Sequence, residues 1–307
     1  MTVDLRVRVG SVELPNPIMT ASGTAGHGDE LGRYVDLSTL GAVVVKSLSA
    51  EPWDGNPAPR VVETDVGMLN SVGLQNPGVE AWLEHELPAL LSTGARVVAS
   101  VWGLTVEAYE KAAGMLAGCP RQVVAVEVNL SCPNLGRHHE VFAHSPSATA
   151  EAVEAAAACG RPRWAKLSPN TPDLTDIAAA ALDAGAEALT LVNTVAGMSI
   201  DPVMRRPRLA AGGGGLSGAA VRPVAVRAVY ECKRRFPAAP IVGVGGVSRG
   251  AHAAELMVAG ASAVQVGTAS FADPRACRRV REELSRWCTK HGVARVAELT
   301  GSVHGTA

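Results

Sequence analysis

Short apolar runs rich in β-branched residues recur along the chain, with segments of helical spacing between them. The runs are 17–21 (PIMTA), 42–46 (AVVVK), 96–101 (RVVASV), 123–129 (VVAVEVN), 163–167 (RWAKL), 187–193 (EALTLVN), 240–244 (PIVGV) and 263–267 (AVQVG). They alternate little between polar and apolar positions, which is how strands covered on both faces read. Helices are expected near 28–35, 79–91, 105–117, 147–159, 173–184, 218–236, 249–259 and 274–291. Eight strand–helix units in succession predict the α/β class and a single (β/α)8 TIM barrel, one domain over residues 1–307. An N-terminal hairpin, 4–14, precedes the first strand and is expected to plug the barrel's bottom. Two connections exceed ordinary loop length: 48–77 after strand 2 and 194–217 after strand 6. Both leave the C-terminal end of a strand, where barrel enzymes build their sites. A doubly wound dinucleotide-binding sheet is the rival, resting on GVGGVSRG (243–250). That string lacks the G-x-G-x-x-G spacing, and AVQVG offers no acid for a ribose hydroxyl.

Composition removes several function classes. Of 307 residues, 47% are hydrophobic and 19% charged, a globular balance. Lysine and arginine total 28 against 29 acids, a net charge of −1, so no broad basic field exists for nucleic acid or an anionic membrane. With 3 Phe, 3 Tyr and 5 Trp, platforms for stacking bases are scarce. No uncharged stretch reaches the roughly 18 residues a membrane span needs. The 6 cysteines form no C-x-x-C pair, so neither a zinc site nor an iron–sulfur cluster is expected on this chain. Their density does not suit a disulfide framework, and a reducing, cytoplasmic location follows.

The candidate chemistry gathers at strand ends. Gly245 and Gly246 end one strand, and Gly267 and Thr268 end the next. In barrels these two loops cradle phosphate through bare backbone N–H groups, and tight turns are the plainer reading. GGGGLSG (212–218) adds a third wall, with Gly218 at a helix start, or is a flexible loop. Lys46 and Lys166 end two strands and suit a negative cofactor atom, or are solvated strand ends. Asn70, Asn129, Asn134 and Asn193 offer amides to a planar, amide-rich heterocycle, although turn capping is the usual task of a single asparagine. Cys132 follows a barrel strand directly. A thiol of ordinary pKa about 8.5 can act as a base when tuned, while most cysteines are core fillers. The other five cysteines lie in or near helix patterns and read as filler.

The chain resembles the class 1 dihydroorotate dehydrogenases, FMN-containing barrels of pyrimidine (UMP) synthesis. The strings that carry the resemblance are ASGTAG (21–26), KSLS (46–49), EPWDGNPAPR (51–60), GMLNSVGLQNPG (67–78), NLSCPN (129–134), AKLSPN (165–170), VNT (192–194), GGLSG (214–218), GVGGV (243–247) and VGTA (266–269). They cover nearly the whole chain, and NLSCPN together with NSVGLQNPG is highly specific. The cysteine in NLSCPN marks class 1; the membrane-linked class has serine there. The resemblance implies oxidation of (S)-dihydroorotate to orotate, with Cys132 taking a proton from C5 while the C6 hydride passes to the flavin. It places one FMN on Ser22, Lys46, Ser47, Asn129, Lys166, Val192, Gly218, Gly245, Gly246, Gly267 and Thr268. It places the pyrimidine and its carboxylate on Lys46, Asn70, Ser71, Val72, Gly73, Leu74, Asn129, Asn193 and Thr194, with Asn134 as a further candidate.

GMLNSVGLQNPG and AKLSPN look more like the class 1B subtype. That implies NAD as acceptor through a partner subunit carrying FAD and a [2Fe–2S] cluster, in a heterotetramer built on a dimer of this chain. Direct reoxidation by fumarate, as in the other class 1 subtype, is the alternative. Two departures stand out. Ser100 occupies a place where the family often has asparagine, and the loop after NLSCPN carries His138, His139 and His144. That loop reads as a lid whose histidines are a solvated surface or substrate contacts. The second possibility keeps open another dihydropyrimidine as substrate, and a catalytically silent FMN-binding barrel is the third reading.

Overall fold

The computed structural model describes residues 2–131, 133–134 and 140–305, with the backbone alone at 133, 134 and 140. Eight short strands form its centre: β1 (Ile18–Thr20), β2 (Val43–Val44), β3 (Val97–Val101), β4 (Val123–Asn129), β5 (Arg163–Leu167), β6 (Ala188–Leu191), β7 (Ile241–Val244) and β8 (Ala263–Val266). They hydrogen-bond in parallel in the order β1-β8-β7-β6-β5-β4-β3-β2. Sequence neighbours are therefore spatial neighbours, as the (β/α)8 barrel requires. Nearly every position of these strands is buried, which explains the missing alternation in the sequence.

The barrel closes between β1 and β2, partly through a side chain. Gly41 N–H donates to Ile18 O at 2.8 Å and Thr20 N–H to Ala42 O at 3.3 Å. One residue on, the fully buried Thr20 hydroxyl donates to Val44 O at 3.2 Å and accepts from Val44 N–H at 2.8 Å. One threonine thus satisfies both peptide groups where the two backbones diverge.

Helices cover the outside at Val106–Gly114, Pro146–Ala155, Leu174–Asp183, Arg222–Arg235, Gly250–Ala259 and Ala276–Lys290, close to the expected spans. The helix expected at 28–35 is absent, and only the 3₁₀ turns Glu30–Arg33 and Leu37–Thr39 form. Gly26, Gly28 and Gly32 weaken helical propensity there, and the Glu30 carboxylate accepts the Gly28 N–H at 2.8 Å. The expected helix at 79–91 forms but is π-wound over Trp82–Glu86.

The N-terminal hairpin pairs Val7–Val9 with Val12–Leu14. Ser11 bonds the Glu187 carboxylate through its N–H (2.9 Å) and its hydroxyl (2.7 Å). Glu187 immediately precedes β6, so the hairpin docks at the N-terminal end of the barrel, the expected bottom.

The two long connections are not loops that hang free. They pair with each other in a four-stranded antiparallel sheet, in the order Val195–Met198, Gly213–Gly218, Gly67–Asn70, Val61–Thr64. The glycine-rich run is therefore an inner strand of this sheet and not a flexible loop. A Cβ on Gly214 would lie 2.6 Å from Asn70 O, and one on Gly218 (φ 106°) would lie 2.6 Å from Gly67 Cα. Close strand approach demands those glycines. Among the described residues, no helix is long and apolar enough to cross a membrane.

Thr20→Val should destabilise the protein by about 1–3 kcal/mol, because two buried peptide groups lose their partner. Equilibrium urea denaturation measures this, and an unchanged midpoint would contradict the seam.

Candidate active site

The polar residues buried among the barrel strands converge on one end of the lumen. Lys166, on β5, is 4% exposed; its Nζ donates to Ser22 Oγ at 2.9 Å and to Glu127 Oε1 at 3.2 Å. Glu127, on β4, is fully buried, and its Oε2 accepts from Gln265 Nε2 on β8 at 2.7 Å. Because β4 and β8 are not neighbours in the sheet, this bond spans the lumen. Period-two alternation carries Glu127 and Asn129 to the same face of β4. Asn129 Nδ2 donates to Ser47 Oγ at 3.2 Å, and its Oδ1 accepts from Asn193 Nδ2 at 3.1 Å. Ser47 Oγ lies 2.9 Å from Ser100 Oγ. One hydrogen-bonded chain thus runs Asn193, Asn129, Ser47, Ser100 over the top of β6, β4, β2 and β3.

Lys46, two residues past β2, lies beside the same loop as Ser22: a Cβ on Gly23 would stand 4.0 Å from its Cγ. Burial, and then the Arg60 charge, hold its ammonium below the usual lysine range. Its Nζ has no hydrogen-bond partner among the described residues. His27 sits near it. Burial first and the Lys46 charge second lower that imidazole from 6.5 to about 4, so it is neutral near pH 7.

The glycine pairs end β7 and β8 as expected. Among the described residues, the N–H groups of Gly245, Gly246, Gly267 and Thr268 meet no acceptor. Gly246 takes a left-handed φ of 66°, and a Cβ there would lie 2.7 Å from Arg222 Cβ. Thr268 Oγ1 donates to Ser217 Oγ at 2.8 Å, which ties β8 to the glycine strand. Gly218 stands at the start of the turn Ala219–Val221, which leads into the helix Arg222–Arg235. Val192 is buried between β6 and β7, its N–H on Val244 O at 2.9 Å.

The segment from Asn70 to Leu74 is held by its own scaffold through its carbonyls. Ser71 O accepts Asn56 Nδ2, Val72 O accepts Asn56 N–H, Gly73 O accepts Trp53 Nε1 and Leu74 O accepts Asn76 Nδ2. Gly73 (φ 73°) and Leu74 (φ 65°) are both left-handed. The N–H groups of Val72, Gly73 and Leu74 meet no acceptor among the described residues. Consecutive free amides in such a turn form an anion-binding concavity. Asn70 Nδ2 reaches Gly215 O at 3.4 Å across the arm sheet, and Thr194 leads from β6 into the same sheet.

Cys132, His138 and His139 lie outside the described residues, as does the side chain of Asn134. The backbone there pairs Pro133–Asn134 with Glu140–Val141. His144 ends the turn Phe142–His144 just beyond. Cys119, Cys159, Cys232, Cys277 and Cys288 are buried, and burial raises all five thiols, Cys232 and Cys277 to about 12. None of these five offers a thiolate near neutral pH.

Sequence reasoning passed over Glu127, Gln265 and Asn170. An acid in the apolar run VVAVEVN was the available signal, since a charge in a buried strand must find a partner. Asn170 Nδ2 donates to Thr194 O at 3.0 Å and its Oδ1 accepts Ala196 N–H at 2.8 Å, which docks the second arm on the end of β5. Among the described residues, no His, Cys, Asp or Glu cluster suits a metal ion.

A barrel with two cations at its mouth, a chain of amides beside them and free N–H groups after β7 and β8 has the form of a barrel enzyme's site for a phosphate-bearing heterocycle. The family model for dihydroorotate dehydrogenase matches residues 4–287. Curated relatives named "Dihydroorotate dehydrogenase B (NAD(+)), catalytic subunit" match over nearly their whole length. The protein of Pelobacter propionicus is 46% identical over 307 residues, 99% of each chain. That of Geobacter sulfurreducens is 46% identical over 301 residues, 98% of each. That of Trichlorobacter lovleyi is 44% identical over 302 residues, 98% of this chain and 99% of the relative. The chain belongs to the dihydroorotate dehydrogenase family, whose members are flavin-dependent oxidoreductases.

His27 carries a sign for pH dependence. Its folded pKa of about 4 lies below the ordinary 6.5, so between those values the unfolded chain binds more protons. Stability is full above 6.5 and falls as pH drops toward 4. Thermal melts should show a shallower fall in His27→Gln than in the parent protein. Parallel curves would contradict the assignment.

Proposed function

We propose that the chain oxidises (S)-dihydroorotate to orotate with one FMN held over the barrel mouth. The observation that carries this reading is the group of four free N–H donors at Gly245, Gly246, Gly267 and Thr268, bare of long side chains and placed where barrels take phosphate. The residues fit the cofactor on other counts. Lys166 has three donor positions and spends two, on Ser22 and Glu127, which leaves one for the flavin ring. Ser47, Asn129, Val192 and Gly218 would help to hold it. Ser100 is bonded to Ser47, so it acts on that contact from behind.

FMN, when bound, supplies the acceptor for the hydride that leaves C6 of the substrate. Cys132 takes the C5 proton as its thiolate. The N–H groups of Val72, Gly73 and Leu74 and the ammonium of Lys46 hold the substrate carboxylate, with Asn70 and Ser71 framing it. Asn129, Asn193 and Thr194 orient the pyrimidine edge, and Asn134 is assigned to the same substrate. Burial of Lys46 strengthens its hold on an anion.

The relatives' naming as an NAD-linked catalytic subunit supports a partner in this protein too. That partner carries FAD and [2Fe–2S] and passes electrons to NAD, in a heterotetramer around a dimer of this chain, in the cytoplasm. The chain alone should then reduce an artificial dye with dihydroorotate but not reduce NAD. Cys132→Ala should lower flavin reduction by about 10²–10⁴ near neutral pH while FMN stays bound. Stopped-flow flavin absorbance measures both. Unchanged reduction in Cys132→Ala would remove the base from Cys132, and rapid turnover with fumarate by the chain alone would remove the partner.

A further inference from the structure

Glu127 has no task in the chemistry described so far. It is a fully buried carboxylate inside the lumen, and a lumen filled by apolar side chains would be at least as stable. Its two oxygens are spent on different partners. Oε1 takes Lys166 Nζ at 3.2 Å, and Oε2 takes Gln265 Nε2 at 2.7 Å from across the barrel. Gln265 is itself fully buried, and its Oε1 has no partner among the described residues, so this amide is committed to Glu127 alone.

Lys166 is the one ammonium facing that carboxylate. The groups around it are Glu127 on β4, Thr190 on β6 in register with it, Gln265 on β8 and Ser22 beyond β1. Of these, Glu127 alone is charged. Among the described residues, the other charged or titratable groups at this end are Lys46, Arg60 and His27, with the Glu30 and Glu86 carboxylates acting on His27, and Glu127 is the carboxylate within ion-pair distance of Lys166.

We propose that Glu127, fixed by Gln265, is a positioning residue that keeps the Lys166 ammonium charged and its third proton aimed at the flavin ring. This rests on the FMN reading above. Without a counter-charge, burial disfavours a lysine's charged form. Glu127 supplies that counter-charge at 3.2 Å, and the Nζ it holds favours negative charge on the ring edge it meets.

Sulfite tests this without turnover. Its sulfur lone pair forms a bond to flavin N5, and the displaced electron pair leaves negative charge on the N1 and C2 carbonyl edge. Bleaching of the visible flavin band reads its Kd. In Glu127→Gln, the ratio of sulfite Kd to that of the parent protein should rise about tenfold or more between about pH 6 and pH 9, as Lys166 loses its charge. In a Lys166→Met background, Glu127→Gln should add no pH-dependent change. A ratio flat with pH, or the same rise in the Lys166→Met background, overturns the proposal. If Glu127→Gln fails to fold, Glu127→Asp should show the same rise, smaller, and a flat response there overturns it equally. A parent protein that takes up no FMN on titration would instead sink the functional reading itself.

Discussion

A buried ammonium and a buried carboxylate face each other inside the barrel, and the mouth is assembled around them. Removing either partner would leave an uncompensated charge in the lumen, a loss of about 3–5 kcal/mol. Both are therefore held from several sides: Lys166 by Ser22 and Glu127, Glu127 by Gln265. Strands β1, β4, β5 and β8 all contribute, so the pair ties the barrel across its width as well as around its wall. The adjoining chain of Asn193, Asn129, Ser47 and Ser100 does the same for β6, β4, β2 and β3. Polar groups that would be expensive alone become a rigid platform once each has a partner.

Above this platform, the two long arms shape the mouth by spending their carbonyls on one another and on their own scaffold. Asn56, Trp53 and Asn76 take the carbonyls of Ser71 to Leu74, and the N–H groups are left pointing elsewhere. After β7 and β8 the N–H groups of Gly245, Gly246, Gly267 and Thr268 are likewise left without acceptors among the described residues. A barrel of nearly neutral net charge thus concentrates positive potential at one end without a basic surface.

Much of this was legible in the sequence, for identifiable reasons. Strands buried on both faces leave unbroken apolar runs, so all eight were placed within a residue or two. Gly245, Gly246 and Gly267 were readable because their place at the ends of two barrel strands is visible in the sequence, and the structure leaves their N–H groups without acceptors among the described residues. The pairing of Asn129 with Asn193 was foreshadowed only as convergence, since register decides which amides touch. What failed was tertiary in origin. The glycine run 212–218 looks like a loop until the other arm is set beside it, and the helix at 28–35 yielded to glycines that the apolar pattern hides. Glu127 and Gln265 sat unnoticed inside apolar runs, because a lumen partner lies far away in sequence. Asn76 resembled the site asparagines but caps its own turn, accepting the N–H groups of Ser49 and Gly78.

The central claim is that this mouth holds a phosphorylated flavin through backbone donors. Titration calorimetry of the flavin-free protein with FMN and with riboflavin isolates the phosphate. Four charge-assisted donors should favour FMN by about a hundredfold or more. Equal affinities for FMN and riboflavin would contradict the account.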